Sequence, residues 1–279
     1  MALMQATFYS AALMRTVTVN VLMPTDRFAI GSSIPMENRP KKTLYLLHGV
    51  MGSFGDWVNR TRVEQLSSAH DLAVVMPSGD NKFYCDSEIS GDRYGTFIAE
   101  ELVLFTRDTF NLSRKREDTY IGGLSMGGFG ALTNALRHPE TFSRVCAFSS
   151  ALIKDKILSS VEEPGHDLFT RTQYCTMFGL KRIEDFAGSD RDYEALAEKL
   201  AASGKQKPLI YMACGRQDTL FDVNTAYRDK LRALGYDVTW TEIDGVHEWR
   251  VWDDRLEDAL NWLPLDDAVE GTGSGNVGI

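Results

Sequence analysis

The spacing of hydrophobic and polar positions changes period several times along the chain, and each change predicts an element. Residues 16–22, Thr-Val-Thr-Val-Asn-Val-Leu, alternate with period two, as an antiparallel strand with one wet face does. With the residues before them, they make 6–24 read as two β segments. Residues 43–47 (Thr-Leu-Tyr-Leu-Leu) and 72–76 (Leu-Ala-Val-Val-Met) are short and continuously apolar, which suits strands buried on both faces of a parallel sheet. Residues 144–149 and 208–214 read as two more strands and 237–243 as the last. Helical patterns lie between them at 57–66, 93–110, 131–136, 191–202 and 221–234, and a final helix runs to about Leu263. In the helix over 93–110, Phe97, Leu102, Leu104 and Phe105 are among the apolar positions. Strands alternating with helices predict an α/β fold with a mostly parallel sheet preceded by antiparallel strands.

The connecting stretches carry the next expectations. Residues 25–42 hold Gly31, Pro35 and Pro40 and read as a loop. Residues 78–92 form a polar loop containing Phe83 and Tyr84. It leaves the end of a strand, the edge at which open α/β sheets bind ligands. Residues 114–118 read as a charged, solvated turn. Residues 151–206 are more polar and less periodic. They read as a partial cap near the ligand edge, with surface helices covering the sheet an equal alternative. Residues 1–265 are expected to form one domain and the glycine-rich 266–279 a flexible tail.

A serine bracketed by glycines stands at the centre of this pattern. A β-prone run over 119–121 leads into Gly123-Leu-Ser-Met-Gly127, and a helical pattern follows. The spacing fits the G-x-S-x-G nucleophile elbow. A sharp strand-to-helix turn lifts the serine hydroxyl clear of the backbone and crowds the positions two residues to either side, where glycine has no Cβ to clash. The following helix aims its N-terminal dipole and free N–H groups at developing negative charge.

Composition narrows the function. Hydrophobic content of 43% and charged content of 25% over 279 residues are those of an ordinary globular chain. A net charge of −9 argues against nucleic acid as a partner. No apolar run approaches the ~20 residues that span a bilayer, and the first residues do not read as a signal peptide, so a cytoplasmic location is expected. Cys85, Cys146, Cys175 and Cys214 are scattered without metal-binding spacing. Cys146 and Cys214 fall in apolar runs and read as reduced core residues. Cys85, in a polar loop, is the expected exposed thiol. Neither a metal nor a cofactor is called for, and a homo-oligomer stays open.

A serine nucleophile needs a base, and the base an orienting acid. Of five histidines, His138 sits in a His-Pro capping context, His70 precedes a strand at the wrong end, and His166 lies in the presumed cap. His48 follows a strand in His-Gly-Val-Met-Gly-Ser-Phe-Gly-Asp-Trp57. It reads more readily as a loop-shaping residue than as a catalyst. His247 alone follows the last strand in a short glycine-containing loop. Asp218 follows a strand in a tight Gly-x-x-Asp turn. Its neighbour Asp222 stands at a helix start and would face outward. Ser125, Asp218, His247 is the chain order of the α/β hydrolases.

Tyr45-Leu-Leu-His-Gly, Ile121-Gly-Gly-Leu-Ser-Met-Gly-Gly-Phe-Gly, Gly215-x-x-Asp218 and Gly245-x-His-Glu-Trp249 together resemble the esterase D-like α/β hydrolases. Within them the chain is similar to the tributyrin esterase branch, akin to feruloyl and acetylxylan esterases, over roughly residues 17–263. The resemblance implies cofactor-free, serine-dependent cleavage of short-chain or aromatic acyl esters. It implies Ser125, Asp218 and His247 as triad and the N–H groups of Met126 and Val50 as oxyanion hole, with Met51 the alternative to Val50. Tyr84 and Met51 are the residues expected at the substrate. A thioesterase of the S-formylglutathione hydrolase type is the alternative enzyme, and a binding protein without turnover the alternative of another class.

Overall fold

The computed structural model describes residues 1–25 and 39–265. Eight strands form one sheet: β1 (Ala2–Ser10), β2 (Arg15–Met23), β3 (Thr43–Leu47), β4 (Ala73–Pro77), β5 (Thr119–Leu124), β6 (Arg144–Phe148), β7 (Leu209–Gly215) and β8 (Val238–Ile243). Their order is β1-β2-β4-β3-β5-β6-β7-β8. β1 and β2 make an antiparallel hairpin of nine paired positions, and β2 pairs antiparallel with β4. The remaining pairs, from β4 through β3 to β8, are parallel. This is the α/β-hydrolase fold. The alternation over 16–22 was the visible half of the hairpin. Its partner β1 alternates half-buried and exposed positions because it lies at the sheet edge. The central strands β3, β4 and β5 are buried at every residue, as their continuous apolar runs require.

Helices cover both faces. On one side α1 (Asp56–Arg60), α2 (Val63–Ala69) and α9 (Trp249–Trp262) bury Trp57, Leu66 and Leu256 against Leu46, Leu124 and Phe148 of the sheet. The other face carries the helical segment 94–109 (α3), then α4 (Met126–Arg137), α7 (Tyr193–Ala202) and α8 (Phe221–Ala233). The expected single helix over 57–66 is divided at Thr61, whose hydroxyl donates to Trp57 O and accepts from Val63 N–H. α3 contains a π turn at Phe97–Glu101. The wider turn shifts the apolar face, and Leu104, expected inward, is exposed.

The 151–206 region adds two helices, α5 (Lys154–Leu158) and α6 (Arg171–Phe178), before α7. Its rings pack onto α4: Phe178 and Tyr193 both contact Phe129, and Phe178 also lies 4.2 Å from Phe83. α7 is capped by Asp192, whose carboxylate accepts the N–H groups of Glu194 and Ala195 and pairs with Lys154 at 2.7 Å. Among the described residues no helix is long and apolar enough to cross a membrane. The predicted loop over 25–42 lies mostly, and the predicted tail wholly, outside the described residues.

Candidate active site

Each candidate residue follows the carboxyl end of a parallel strand. Ser125 follows β5, the loop 48–55 follows β3, Asp218 follows β7 and His247 follows β8. β3 and β5 are neighbours whose chains leave in opposite directions across the sheet, the switch point where open α/β sheets hold ligands.

The elbow is built as its glycines demand. Ser125 adopts φ 53°, ψ −116°, and α4 starts at the next residue, directly behind the serine as the elbow reading expects. A Cβ at Gly127 would stand 2.4 Å from Leu47 O, and one at Gly123 would stand 2.6 Å from the backbone of Gly127. Neither contact can be relieved by a side-chain movement, so both positions require glycine. As the first helical residue, Met126 has an N–H with no acceptor inside the helix.

Asp218 and His247 are joined by a 2.8 Å hydrogen bond between His247 Nδ1 and Asp218 Oδ2, and the Asp218 side chain has no exposed surface. Asp218 Oδ1 accepts the Leu220 N–H at 2.9 Å. Burial by itself would raise the Asp218 pKa. The hydrogen bonds from His247 and the Leu220 N–H outweigh it and hold the carboxyl below its ordinary 3.8. The Nδ1–H of His247 is thereby committed to Asp218, which leaves Nε2 as the basic nitrogen. His247 also packs edge-on against Trp252, with ring centroids 4.8 Å apart.

Ser125 and His247 line one cavity of about 290 Å³ with Val50, Met51, Asp56, Arg60, Trp249 and Trp252. No residue of the 151–206 region is among its lining. Trp249 stands edge-on to both Trp57 and Trp252, and the Arg60 guanidinium lies over its ring at 5.7 Å.

A family model, Esterase, described as "Putative esterase", matches residues 10–263. The chain belongs to this esterase family. It is 38% identical to an acetyl esterase of Caldicellulosiruptor saccharolyticus over 263 residues, which cover 94% of this chain and 98% of that protein. The fluorophosphonate-binding serine hydrolase F of Staphylococcus aureus superposes with a TM-score of 0.80 at 26% identity, covering 94% of this chain and 98% of that one. The S-formylglutathione hydrolase of Staphylococcus aureus superposes with a TM-score of 0.79, also at 26% identity and with the same coverage.

The esterase treats its other candidate residues unequally. Val50 and Met51 both line the cavity, but the Met51 N–H is engaged by Asn81 Oδ1 at 2.7 Å. Of the two N–H groups, that of Met51 is therefore spent within the protein. Tyr84, expected at the substrate, is instead fully buried, and its hydroxyl donates to His48 O at 2.9 Å. The cause is local: Phe83 and Tyr84 both have positive φ, which turns the loop inward and packs Phe83 on Phe129 and Phe178. His48 is the loop-shaping residue that the sequence favoured. Its Nε2 accepts the Gly79 N–H at 2.9 Å, so Nδ1 carries the proton it donates to Gly49 O. Asp222 is exposed in the first turn of α8.

Cys85, expected to be exposed, is buried, and burial pushes its thiol up to about 12. The partly exposed cysteine is Cys175, and all four are free. The sequence reading missed Trp252, Asp56, Arg60 and Asn81. Trp252 has a helical signal, since it lies one turn beyond the Gly-x-His-Glu-Trp motif. The others reach the site only through the fold.

Proposed function

We propose that the esterase hydrolyses short-chain acyl esters through an acyl-Ser125 intermediate. The observation that carries this reading is the small cavity lined by Ser125 and His247, the latter held by Asp218. At about 290 Å³ it falls at the lower limit of ordinary ligand pockets, and Met51, Trp249 and Trp252 narrow it. The 38% identity to an acetyl esterase points the same way.

Ser125 Oγ attacks the ester carbonyl while His247 Nε2 takes its proton. The same nitrogen then protonates the leaving alkoxide. Asp218 keeps the Nδ1–H tautomer and stabilises the imidazolium. The N–H groups of Met126 and Val50 receive the oxyanion, each worth about 3 kcal/mol. Water repeats the sequence on the acyl enzyme and frees the acid.

The test is turnover of p-nitrophenyl esters from acetate to palmitate, with methyl ferulate alongside. A maximum at two to four acyl carbons is expected, and a maximum at long chains would refute the assignment. Ser125→Ala should lower kcat at least ~1000-fold. The likeness to an S-formylglutathione hydrolase supports a second reading, thioester cleavage by the same residues. S-formylglutathione assayed beside p-nitrophenyl acetate separates the two by their kcat/KM ratio.

A further inference from the structure

One full charge in the active-site cavity has no use in the mechanism above. Arg60 ends α1 and lines the same space as Ser125 and His247. Its guanidinium lies over the Trp249 ring, 5.7 Å from the centre. Trp249 is itself held edge-on by Trp57 and Trp252, so the cation rests on a fixed surface. Among the described residues it makes no ion pair and no hydrogen bond. The carboxylates on and before α9 are already taken. Arg62 holds Asp253 at 2.7 Å and Glu257 at 3.0 Å, and Arg250 holds Glu248 at 3.1 Å. Asp56 lines the cavity one turn before Arg60. That is the i,i+4 spacing at which opposite charges on a helix pair, yet no bridge joins the two. The guanidinium donors therefore face the cavity unspent.

We propose that Arg60 makes the esterase prefer substrates whose leaving group carries a carboxylate. This rests on the ester hydrolysis and on the roles given above to Ser125 and His247. The side of the cavity follows from the base. His247 Nε2 protonates the departing oxygen, so the leaving group lies against His247. From that ring, Trp252 at 4.8 Å and then Trp249 at a further 5.2 Å lead to Arg60. An aromatic wall that ends in a forked cation suits an apolar or aromatic alcohol ending in a carboxylate, whose two oxygens match the guanidinium donors. Asp56 narrows the choice of anion. Its charge lines the same cavity and repels a dianionic phosphate monoester more than a monoanionic carboxylate.

The probes are the acetate esters of para-hydroxyphenylpropanoate and of para-hydroxyphenylpropanamide. They differ in charge at the far end, and the methylenes between insulate the phenol from that difference, so both leaving groups depart equally well. The readout is the ratio of kcat/KM for the charged ester to that for the neutral one. Both rates come from one preparation, so any loss of folded protein cancels. The wild-type ratio should exceed one and fall as salt is added. Arg60→Gln should lower the ratio about fivefold, mainly through KM. Arg60→Lys, which keeps the charge without the fork, should fall between the two. Asp56→Asn removes a like charge and should raise the ratio about twofold. A wild-type ratio below one, a ratio that Arg60→Gln leaves within about twofold of wild type, or an Asp56→Asn shift in the same direction as Arg60→Gln overturns the proposal. Ser125→Ala is measured in parallel. If it retains near-wild-type turnover of the neutral ester, the underlying mechanism falls. If it is inactive while Arg60→Gln keeps the wild-type ratio, only the role of Arg60 falls.

Discussion

Asp218 and Asp222 lie four residues apart and face opposite environments. Asp218 has no exposed side-chain surface and accepts His247 Nδ1–H at 2.8 Å, whereas Asp222 is exposed on the first turn of α8. Asp218→Asn keeps the shape but offers an N–H where His247 needs an acceptor, so kcat should fall about 10⁴-fold. Asp222→Asn should leave kcat within about twofold. Steady-state kinetics on p-nitrophenyl acetate compares the two, and the reverse ranking would exchange their assignments.

The pH dependence of stability should carry the signature of His48. Burial pushes its pKa below the ordinary 6.5, against the opposing pull of the Gly49 carbonyl, Asp56 and Asp80. The folded protein therefore keeps His48 neutral where the unfolded chain takes up a proton. A group depressed in this way contributes stability above about pH 6.5 and loses it as pH falls below that value. Protonation would also destroy the Nε2 acceptor that holds the Gly79 N–H. Tm measured between pH 7.5 and 5 should fall more steeply for wild type than for His48→Gln, although the variant starts lower. Parallel slopes would remove His48 as the cause.

Asn81 should matter to turnover without touching the reacting atoms. Its Oδ1 holds the Met51 N–H and so sets the loop that presents Val50. Small displacements of a stabilising donor are costly in rate. Asn81→Ala should lower kcat about tenfold with KM little changed, and Asn81→Asp, which keeps the acceptor, should stay within about threefold of wild type. Equal losses in both would show that the acceptor oxygen is not what counts.

Gly127 tests the elbow geometry through stability alone. A Cβ there would meet Leu47 O at 2.4 Å, a backbone atom of the central strand. Gly127→Ala should destabilise the fold by about 3 kcal/mol or more, read from urea unfolding. A loss under about 1 kcal/mol would mean that β3 and α4 can separate.

Most of the site was legible because its residues follow strands whose signals are local. Ser125, Asp218 and His247 each come directly after an apolar or alternating run, and period and chain order suffice to place them. Tyr84 was not legible. Whether a loop aromatic faces outward depends on the φ of two residues, and here both are positive, which no hydrophobic pattern encodes. Cys85 failed for the same reason, since it continues the loop that Phe83 and Tyr84 turn inward. Leu104 failed because a π turn shifts helix phase without a marker such as proline. Ser149 looked like the end of a strand. Its contact with Cys214 exists only once β6 and β7 are paired.

The backbone at Ser125, with φ 53° and ψ −116°, sets activity against endurance. Glycine alone adopts that conformation freely, so Ser125→Gly should relieve strain of order 1–3 kcal/mol, partly offset by the greater freedom glycine gives the unfolded chain. The net gain is about 1 kcal/mol, in a protein without the proposed nucleophile. A library of this chain selected on heat resistance alone would therefore enrich variants that lack it, and any engineering of its stability has to screen hydrolysis in the same round.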